Sequence, residues 1–240
     1  MNNILKRLQD EMNARLKGGL YHYTQVAMAY NSNRIEGNQL THDQTRHIYE
    51  THSILMEKDS TVKTDDIIET LNHFAAFDFM LKTAAEVLSE KIIKHYHLLL
   101  KQGTSQSKLD WFNVGKYKKL PNTIGEPETT PPKSVAKEIR ALLAGYNALK
   151  KHTVKDIVKF HFEFEKIHPF QDGNGRAGRL IIFKECLTHN IVPFIIDSEH
   201  RLFYYRGLQQ YSGIPKYLND TCLSAQDHYS EVCKKFKAIL

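Results

Sequence analysis

The sequence predicts a mainly α-helical protein with one non-helical segment. In most windows of the 240-residue chain, apolar residues recur at spacings of three and four, which is the repeat of one helix face. Four of the seven prolines fall between Pro121 and Pro132. Proline interrupts helical hydrogen bonding, so the break in the helical pattern is placed in this stretch. The sequence shows no internal repeat and no linker, and one domain is the economical interpretation.

The helices can be placed in order from the apolar spacing and from residues that begin or end helices. Thr41 and Ser89 have side chains that cap a helix N-terminus, and Gly37 suits the position just past a helix C-terminus. The predicted helices cover residues 6–17, 21–36, 41–53, 64–81, 89–100, 134–150 and 153–167, a stretch from the turn at 171–175 to about 189, and residues 201–211 and 215–237.

The segment 111–133 has a different composition. It contains Gly115, Gly125 and the four clustered prolines, which are residues typical of turns and loops. Residues 114–120 and 123–124 could form two short strands. We therefore expect an exposed β-hairpin or an extended loop here.

Charge and hydropathy argue against two classes of protein. The net charge is +6, but the chain has no run of five or six like charges, so nucleic-acid binding is not favoured. A mildly basic chain also suits a polyanionic small molecule. The longest apolar runs, 180–183 and 191–196, are far shorter than the roughly 20 residues of a membrane-spanning helix.

The cysteines and the N-terminus predict a cytoplasmic location. Cys186, Cys222 and Cys233 are odd in number and do not have the spacing of metal ligands, which disfavours both a disulfide framework and a zinc site. Residues 1–19 carry charged side chains in place of the apolar stretch of a secretory signal.

The most informative stretch is HPFQDGNGRAGR, at positions 168–179. Pro169 ends the preceding helix, and Gly173 and Gly175 allow a tight turn whose N–H groups point outward. The next helix begins at this turn. Its N-terminal amides and the positive end of its dipole therefore face the same space, where they favour phosphate binding.

Four charged or titratable side chains add to this turn. Arg176 and Arg179 lie three residues apart and share one side of the helix, where two guanidinium groups suit a polyphosphate. Asp172 provides a carboxylate for Mg²⁺ beside the phosphates, and His168 can accept a proton at neutral pH. Each feature alone is more often structural. Their conjunction within twelve residues favours transfer of a phosphate-containing group to a hydroxyl.

This stretch resembles the signature of the Fic family, His-Pro-Phe-x-Asp/Glu-Gly-Asn-Gly/Lys-Arg-x-x-Arg, at every specified position, and the resemblance extends over residues 21–211. It implies the Fic fold, a helical core with a β-hairpin flap over the active site. It also implies an enzyme that transfers AMP from ATP, with Mg²⁺, to a Ser, Thr or Tyr hydroxyl of a target protein. Self-modification and a homo-oligomer are compatible with the resemblance, and no membrane partner is expected.

The resemblance also implies a role for each motif residue. His168 is the general base, and Asp172 is the metal ligand. The residues that bind ATP are Asn174, Gly175 and Arg176 at the α- and β-phosphates and Arg179 at the γ-phosphate. Within the family's fold, residues 117–127 correspond to the flap that aligns a target segment by strand addition. At its tip, Asn-Thr-Ile-Gly at 122–125, Glu126 replaces the usual second glycine.

A second match lies upstream, in Ser-Asn-Arg-Ile-Glu-Gly at 32–37. Ser32 and Glu36 are four residues apart and share a helix face, and Gly37 completes the family's inhibitory motif, Ser/Thr-x-x-x-Glu-Gly/Asn. The resemblance implies that Glu36 pairs with Arg179 and blocks productive placement of the γ-phosphate. It divides the chain into an N-terminal extension (1–20), an inhibitory helix region (21–40) and a Fic core with C-terminal helices (41–240).

Other functions remain open at this stage. Some Fic relatives transfer phosphate or phosphocholine; a phosphate-transferring relative typically has lysine where this chain has Gly175, which favours AMP transfer. A metal phosphohydrolase is suggested by 13 histidines and by His42-Asp43, but that pair falls at a predicted helix start. A nucleotide-binding regulator without catalysis is the third class, and AMP removal directed by Glu36 is a variant of the first. Tyr204 or Tyr205 could pack on the nucleoside or belong to the core.

Overall fold

The computed structural model describes residues 3–56, 61–123 and 128–239. Within these ranges the chain forms ten α-helices, and the short turns Gln106–Lys108 and Ser198–His200 are 3₁₀-helical. The helices are α1 Asn3–Ala14, α2 Leu20–Ile35, α3 His42–Thr51, α4 Thr64–Lys82, α5 Glu90–Lys101, α6 Pro132–Asn147, α7 Val154–Ile167, α8 Asn174–Thr188, α9 Arg201–Gln210 and α10 Lys216–Lys235. The prediction of a mainly helical fold is confirmed, with each helix near its expected position.

The residues predicted to begin and end helices do so. The Thr41 side chain accepts from the backbone of Gln44, whose side chain accepts in return from the Thr41 backbone, so the two form a capping box. The Ser89 side chain caps α5. Gly37 follows α2 with φ +97°, a left-handed conformation that favours glycine.

Helix α8 occupies the centre of the fold. It packs against α2, α4, α5 and α7, and nearly all of its side chains are buried. Such a helix has no polar stripe because every face meets another element. The functional motif at its N-terminus is therefore held by four surrounding helices. Helix α1 packs on α2 and α4, so the N-terminal residues share the same hydrophobic core.

The predicted strand at 114–120 is wrong. In the described ranges the chain has only one isolated antiparallel β-bridge, between Thr123 and Glu128. The backbone N–H of Lys118 donates to the Pro169 carbonyl at 2.9 Å. This segment therefore lies against the turn that follows α7 instead of pairing with itself, and Pro121 has no N–H for a strand ladder. Residues 124–127 of the predicted flap, which include the second half of its tip, lie outside the described residues.

Two further findings concern the cysteines and the hydropathy of the helices. The three cysteines are free and buried. Among the helices of the described residues, none combines the length and hydropathy needed to cross a bilayer.

Candidate functional site

The turn between α7 and α8 places the motif residues. His168 follows Ile167 with φ +51°, and Gly173 precedes α8 with φ +79°. The backbone N–H of Phe170 donates to Asn174 Oδ1 at 2.8 Å, and Asn174 Nδ2 donates to the Phe170 carbonyl at 2.9 Å. The amide of Asn174 is thus used to hold the turn closed. A left-handed histidine is energetically costly, and these hydrogen bonds help to maintain it.

The N-terminus of α8 presents several hydrogen-bond donors without acceptors, and we call this group of donors the cradle. The N–H groups of its first three residues precede the first intrahelical bond, which Ala177 N–H makes to the Gly173 carbonyl at 3.0 Å. Arg176 and Arg179 are 2% and 3% exposed. Two of their nitrogens, Arg176 Nε and Arg179 Nη1, are buried and have neither a hydrogen-bond acceptor nor an ion-pair partner among the described residues. Buried donors without acceptors are costly, and phosphate oxygens would satisfy them.

Position 175 needs a glycine because a side chain has no room there, and not because of its backbone conformation. A Cβ built at this position would lie 2.3 Å from Glu36 Oε1 and 2.9 Å from Arg179 Nη1. Any larger residue would displace these two groups. The sequence predicted Gly175 as a phosphate-binding residue, and the structure places it directly beside the Arg179 guanidinium.

His168 has the tautomer and the charge of a general base. Its Nδ1–H donates to the Glu165 carbonyl at 3.3 Å, so Nε2 is the free acceptor. Burial is the largest influence on its pKa, and with the nearby Lys118 it lowers the pKa from 6.5 to about 4, although the charges of Glu36 and Asp172 act in the opposite direction. The imidazole is therefore neutral at physiological pH.

Asp172 is the only carboxylate within the turn. Burial opposes its ionisation, but Arg176 and Lys101 outweigh burial and lower its pKa to about 2. The described residues contain no cluster of three His, Cys, Asp or Glu that could hold a metal alone. A single ionised carboxylate beside a phosphate cradle fits Mg²⁺, which takes one or two carboxylates and completes its shell with phosphate oxygens and water.

The upstream motif reaches the cradle through Arg179. Arg179 Nε donates to Ser32 Oγ at 3.0 Å, and its Nη2 donates to the Ser32 carbonyl at 2.9 Å and to Glu36 Oε1 at 2.6 Å. Glu36 caps the C-terminus of α2, and Gly37 allows the chain to turn away directly after it. The structure thus brings together two segments that are more than 130 residues apart in the sequence.

The adjacent tyrosines of α9, Tyr204 and Tyr205, have different surroundings. Tyr204 is buried, and its hydroxyl is 2.6 Å from His161 Nε2, so it is a core residue. The Tyr205 hydroxyl donates to the Ile35 carbonyl at 2.9 Å, next to Glu36. Tyr205 therefore fastens the end of α2 to α9.

Two charged residues of the site were not predicted from the sequence. Glu69 of α4 contacts Arg176 Nη1 at 2.7 Å, and Lys101 of α5 contacts both Glu69 Oε1 and Asp172 Oδ2 at 2.7 Å. Neither belongs to a motif. The one available signal is that Lys101 falls four residues after His97 and eight after Ile93, on the buried stripe of its helix.

Comparisons with known proteins show what the chain is similar to. Residues 87–185, which include α5 to most of α8, match the model of the Fic/DOC family. The chain is 24% identical over 189 residues to a protein adenylyltransferase Fic of Nematostella vectensis, covering 75% of this chain and 42% of that protein. It is 28% identical over 187 residues to a protein adenylyltransferase Fic of Aedes aegypti, covering 75% and 36%. The chain thus spans less than half the length of these curated relatives.

Solved structures show the same architecture. A Fic domain containing signaling protein from Bacteroides thetaiotaomicron superposes with a TM-score of 0.77 at 21% identity, covering 98% of this chain and 96% of that one. A Fic family protein from Desulfovibrio desulfuricans gives a TM-score of 0.71 at 23% identity, covering 99% and 75%. These likenesses establish the mainly helical fold, and the family model assigns the segment that carries the motif. Residues 87–185 therefore resemble the Fic/DOC family, and the chain shares its fold with solved Fic-domain proteins.

Proposed function

We propose that the chain is a protein adenylyltransferase, which transfers AMP from ATP to a Ser, Thr or Tyr hydroxyl of a target protein. The observation that carries the proposal is that a neutral His168, with its Nε2 free, lies in the same turn as two buried guanidinium nitrogens that lack acceptors, Arg176 Nε and Arg179 Nη1. The names of the relatives support the same activity.

The cradle would bind the triphosphate in order along α8. The N–H groups of Asn174, Gly175 and Arg176 and the unpartnered Nε of Arg176 would bind the α- and β-phosphates. The Asn174 side chain acts indirectly, because it holds the turn. Arg179 binds the γ-phosphate once its bonds to Ser32 and Glu36 are released. Binding at fixed, buried donors costs little reorganisation, which is the main way a protein lowers barriers of this kind.

His168 supplies the proton transfer. The target hydroxyl oxygen attacks the α-phosphorus, and its proton passes to Nε2 of His168, whose other nitrogen is held by the Glu165 carbonyl. The bond from the α-phosphorus to the bridging oxygen breaks, and pyrophosphate leaves with that electron pair. Mg²⁺ bound at Asp172 would neutralise charge on the phosphates.

The target segment would lie along residues 117–127, the proposed flap. Two described contacts hold its base beside the motif. Lys118 N–H donates to the Pro169 carbonyl at 2.9 Å, and Asn122 Nδ2 donates to the Phe170 carbonyl at 3.0 Å. A strand added to this segment would therefore pass close to His168. Self-modification, or modification within a homo-oligomer, would use the same approach.

Region 21–40 would act as an inhibitory segment on the core of residues 41–240, with residues 1–20 as an extension packed on it. Glu36 and Ser32 use the Arg179 donors that the γ-phosphate needs. Glu36 bonds through Oε1 and its side chain is 27% exposed. Its carboxylate could therefore also orient a water molecule that removes AMP from a modified target.

The test is incubation of the chain with α-labelled ATP, Mg²⁺ and a cell extract, followed by mass spectrometry of labelled proteins. Attachment of AMP supports the proposal. In a parallel incubation with γ-labelled ATP, labelling from the γ-position alone would indicate phosphate transfer instead. Nucleotide binding without any labelled product, in the parent and in Glu36→Gly, would indicate a non-catalytic regulator.

Asp172→Ala is expected to lower Mg²⁺-dependent AMP transfer by at least about a hundredfold, because metal stabilisation of phosphate charge is worth several kcal/mol. The measurement is the initial rate of labelling at increasing Mg²⁺, in the Glu36→Gly background. Asp43→Ala, an exposed aspartate at the start of α3, is the control and should keep the rate. Undiminished transfer by Asp172→Ala would mean that the metal is held elsewhere.

The rate of AMP transfer should fall on the acid side only well below pH 6.5. The folded-state pKa of His168 is lowered to about 4, so its basic form persists as the pH falls through 6.5 and is lost only near 4. We expect kcat/KM of Glu36→Gly to stay nearly flat from about pH 8 to about pH 5.5, with circular dichroism as the control for folding. A half-maximal rate near pH 6.5 would show that His168 titrates normally.

A further inference from the structure

Four charged side chains beneath the turn form a closed ring of alternating sign. Lys101 Nζ lies 2.7 Å from Glu69 Oε1 and 2.7 Å from Asp172 Oδ2. Arg176 Nη1 lies 2.7 Å from Glu69 Oε2, and its Nη2 lies 3.5 Å from Asp172 Oδ2. We call these four residues the charge ring. Two of them belong to the proposed phosphate and metal site, and the other two come from α4 and α5.

The charge ring is balanced and largely shielded from water. The side chains of Lys101 and Arg176 are 1% and 3% exposed, and those of Glu69 and Asp172 are 15% and 36% exposed. Its two cations and two anions sum to zero. Because charges in such a site are poorly solvated, removal of one member is costly: the remaining three residues then carry a net charge that water does not compensate.

Lys101 and Arg176 each contact both carboxylates of the charge ring. Glu69 contacts Lys101 with one oxygen and Arg176 with the other, so its negative charge is divided between two cations. The stem of Lys101 also lies directly under the turn, where a Cβ at Gly173 would be 3.3 Å from Lys101 Cδ. Without the ammonium group, Arg176 would face both carboxylates as the one remaining cation of the ring.

We propose that Lys101 and Glu69 are positioning residues of the nucleotide site. Lys101 draws Glu69 and Asp172 toward itself and so keeps the Arg176 guanidinium available to the α- and β-phosphates, whereas Glu69 competes with those phosphates for Arg176. The inference rests on the proposed function, since it assigns the phosphates to Arg176. It predicts opposite effects for the two residues, which a purely structural role would not produce.

The test is the equilibrium affinity for ADP, measured by calorimetry in EDTA and in Mg²⁺. ADP needs no γ-phosphate site, so the Glu36–Arg179 pair can stay in place, and no transfer occurs. Lys101→Met should bind ADP about 10- to 100-fold more weakly, as is typical for loss of an outer partner of a binding group. Glu69→Gln should bind ADP at least about threefold more tightly in EDTA, because one buried negative charge is removed. The double variant should return close to the parent.

Lys184→Met is the matched control. Lys184 is also a fully buried lysine, bonded to the Glu86 carbonyl and to Glu185, but it lies eight residues beyond Arg176 on α8, about 12 Å along the axis. It should lose stability and keep the parent affinity for ADP. Thermal unfolding of every variant confirms folding, and Glu69→Gln tests the proposal even where Lys101→Met does not fold.

Three outcomes would overturn these assignments. A folded Lys101→Met variant with the parent affinity would show that Lys101 has no positioning role. Weakening by both single variants, with effects that multiply in the double variant within about twofold, would show independent structural roles. Absence of ADP binding in the parent and in Lys184→Met would instead refute the nucleotide site itself, and so the proposed function.

Discussion

Glu36→Gly is expected to raise AMP transfer about tenfold to about a hundredfold over the parent. In the parent, Arg179 Nη2 donates a hydrogen bond to Glu36 Oε1 at 2.6 Å, and Arg179 Nε donates one to Ser32 Oγ at 3.0 Å. A charge-assisted hydrogen bond contributes about 1.5–3 kcal/mol, and each 1.36 kcal/mol corresponds to tenfold in rate. Loss of the carboxylate also removes a negative charge beside the triphosphate, and both effects act in the same direction.

The increase in AMP transfer should be graded across variants that weaken or remove hydrogen bonds of the Arg179 guanidinium. Glu36→Gln keeps an acceptor but loses the charge, and Ser32→Ala loses one neutral bond, so the expected order is Glu36→Gly, Glu36→Gln, Ser32→Ala, parent. Glu231→Gly, in which an ion-paired glutamate on α10 is replaced, is the control and should stay at the parent level. The measurement is the initial rate of label incorporation from α-labelled ATP.

The parent itself can be silent or can remove AMP from a modified target, and both results agree with the proposal. Equal labelling by the parent and by a folded Glu36→Gly variant would contradict it. Residues 32–37 would then be only the end of a helix.

His168→Ala, in the Glu36→Gly background, is expected to lower AMP transfer by about 10²–10⁴-fold while ADP binding stays within about twofold. Loss of a general base typically costs this much. His168 lies before the cradle and makes no contact with Arg176 or Arg179 that would carry nucleotide affinity. The rate of labelling and the calorimetric affinity for ADP are measured on the same preparation.

The control for this variant has to match an unusual backbone position. His168 ends α7 in the left-handed region, and His52 ends α3 in the same region, with φ +56°. His52→Ala should show a similar backbone cost and keep full transfer. His168→Asn retains a residue that tolerates this conformation and should be as inactive as alanine. Near-parental labelling by either His168 variant would exclude it as the base.

The helices were predictable because their determinants are local. Thr41 and Ser89 cap helices whose apolar stripes follow within a few residues, and Gly37 ends α2 at the expected position. The segment 114–120 was predictable only as a break in the helical pattern. Gly115 within it and Pro121 directly after it disfavour a helix, but its conformation depends on the Lys118 N–H, which donates to the Pro169 carbonyl far away in the sequence.

The motif residues were predictable for a similar reason, since His168 to Arg179 are consecutive and a single turn positions them. Their side-chain partners were not. Asn174 looked like a phosphate ligand, but its amide closes the turn on Phe170. Tyr204 was ambiguous between a nucleoside contact and the core, and its bond to His161 assigns it to the core.

The helical elements, the turn with His168 and the basic start of α8 follow from local sequence, because hydrogen-bonding and dipole effects there act within a few residues. Which distant charges contact them depends on how the helices pack. Glu69 and Lys101 reach Asp172 and Arg176 from two other helices. The contact of Glu36 with Arg179 spans 143 positions, and on the sequence side only the resemblance to a family motif implied it. Such pairs leave no local pattern, because a buried charge is stabilised by whichever opposite charge the packing of the helices brings within a few ångströms.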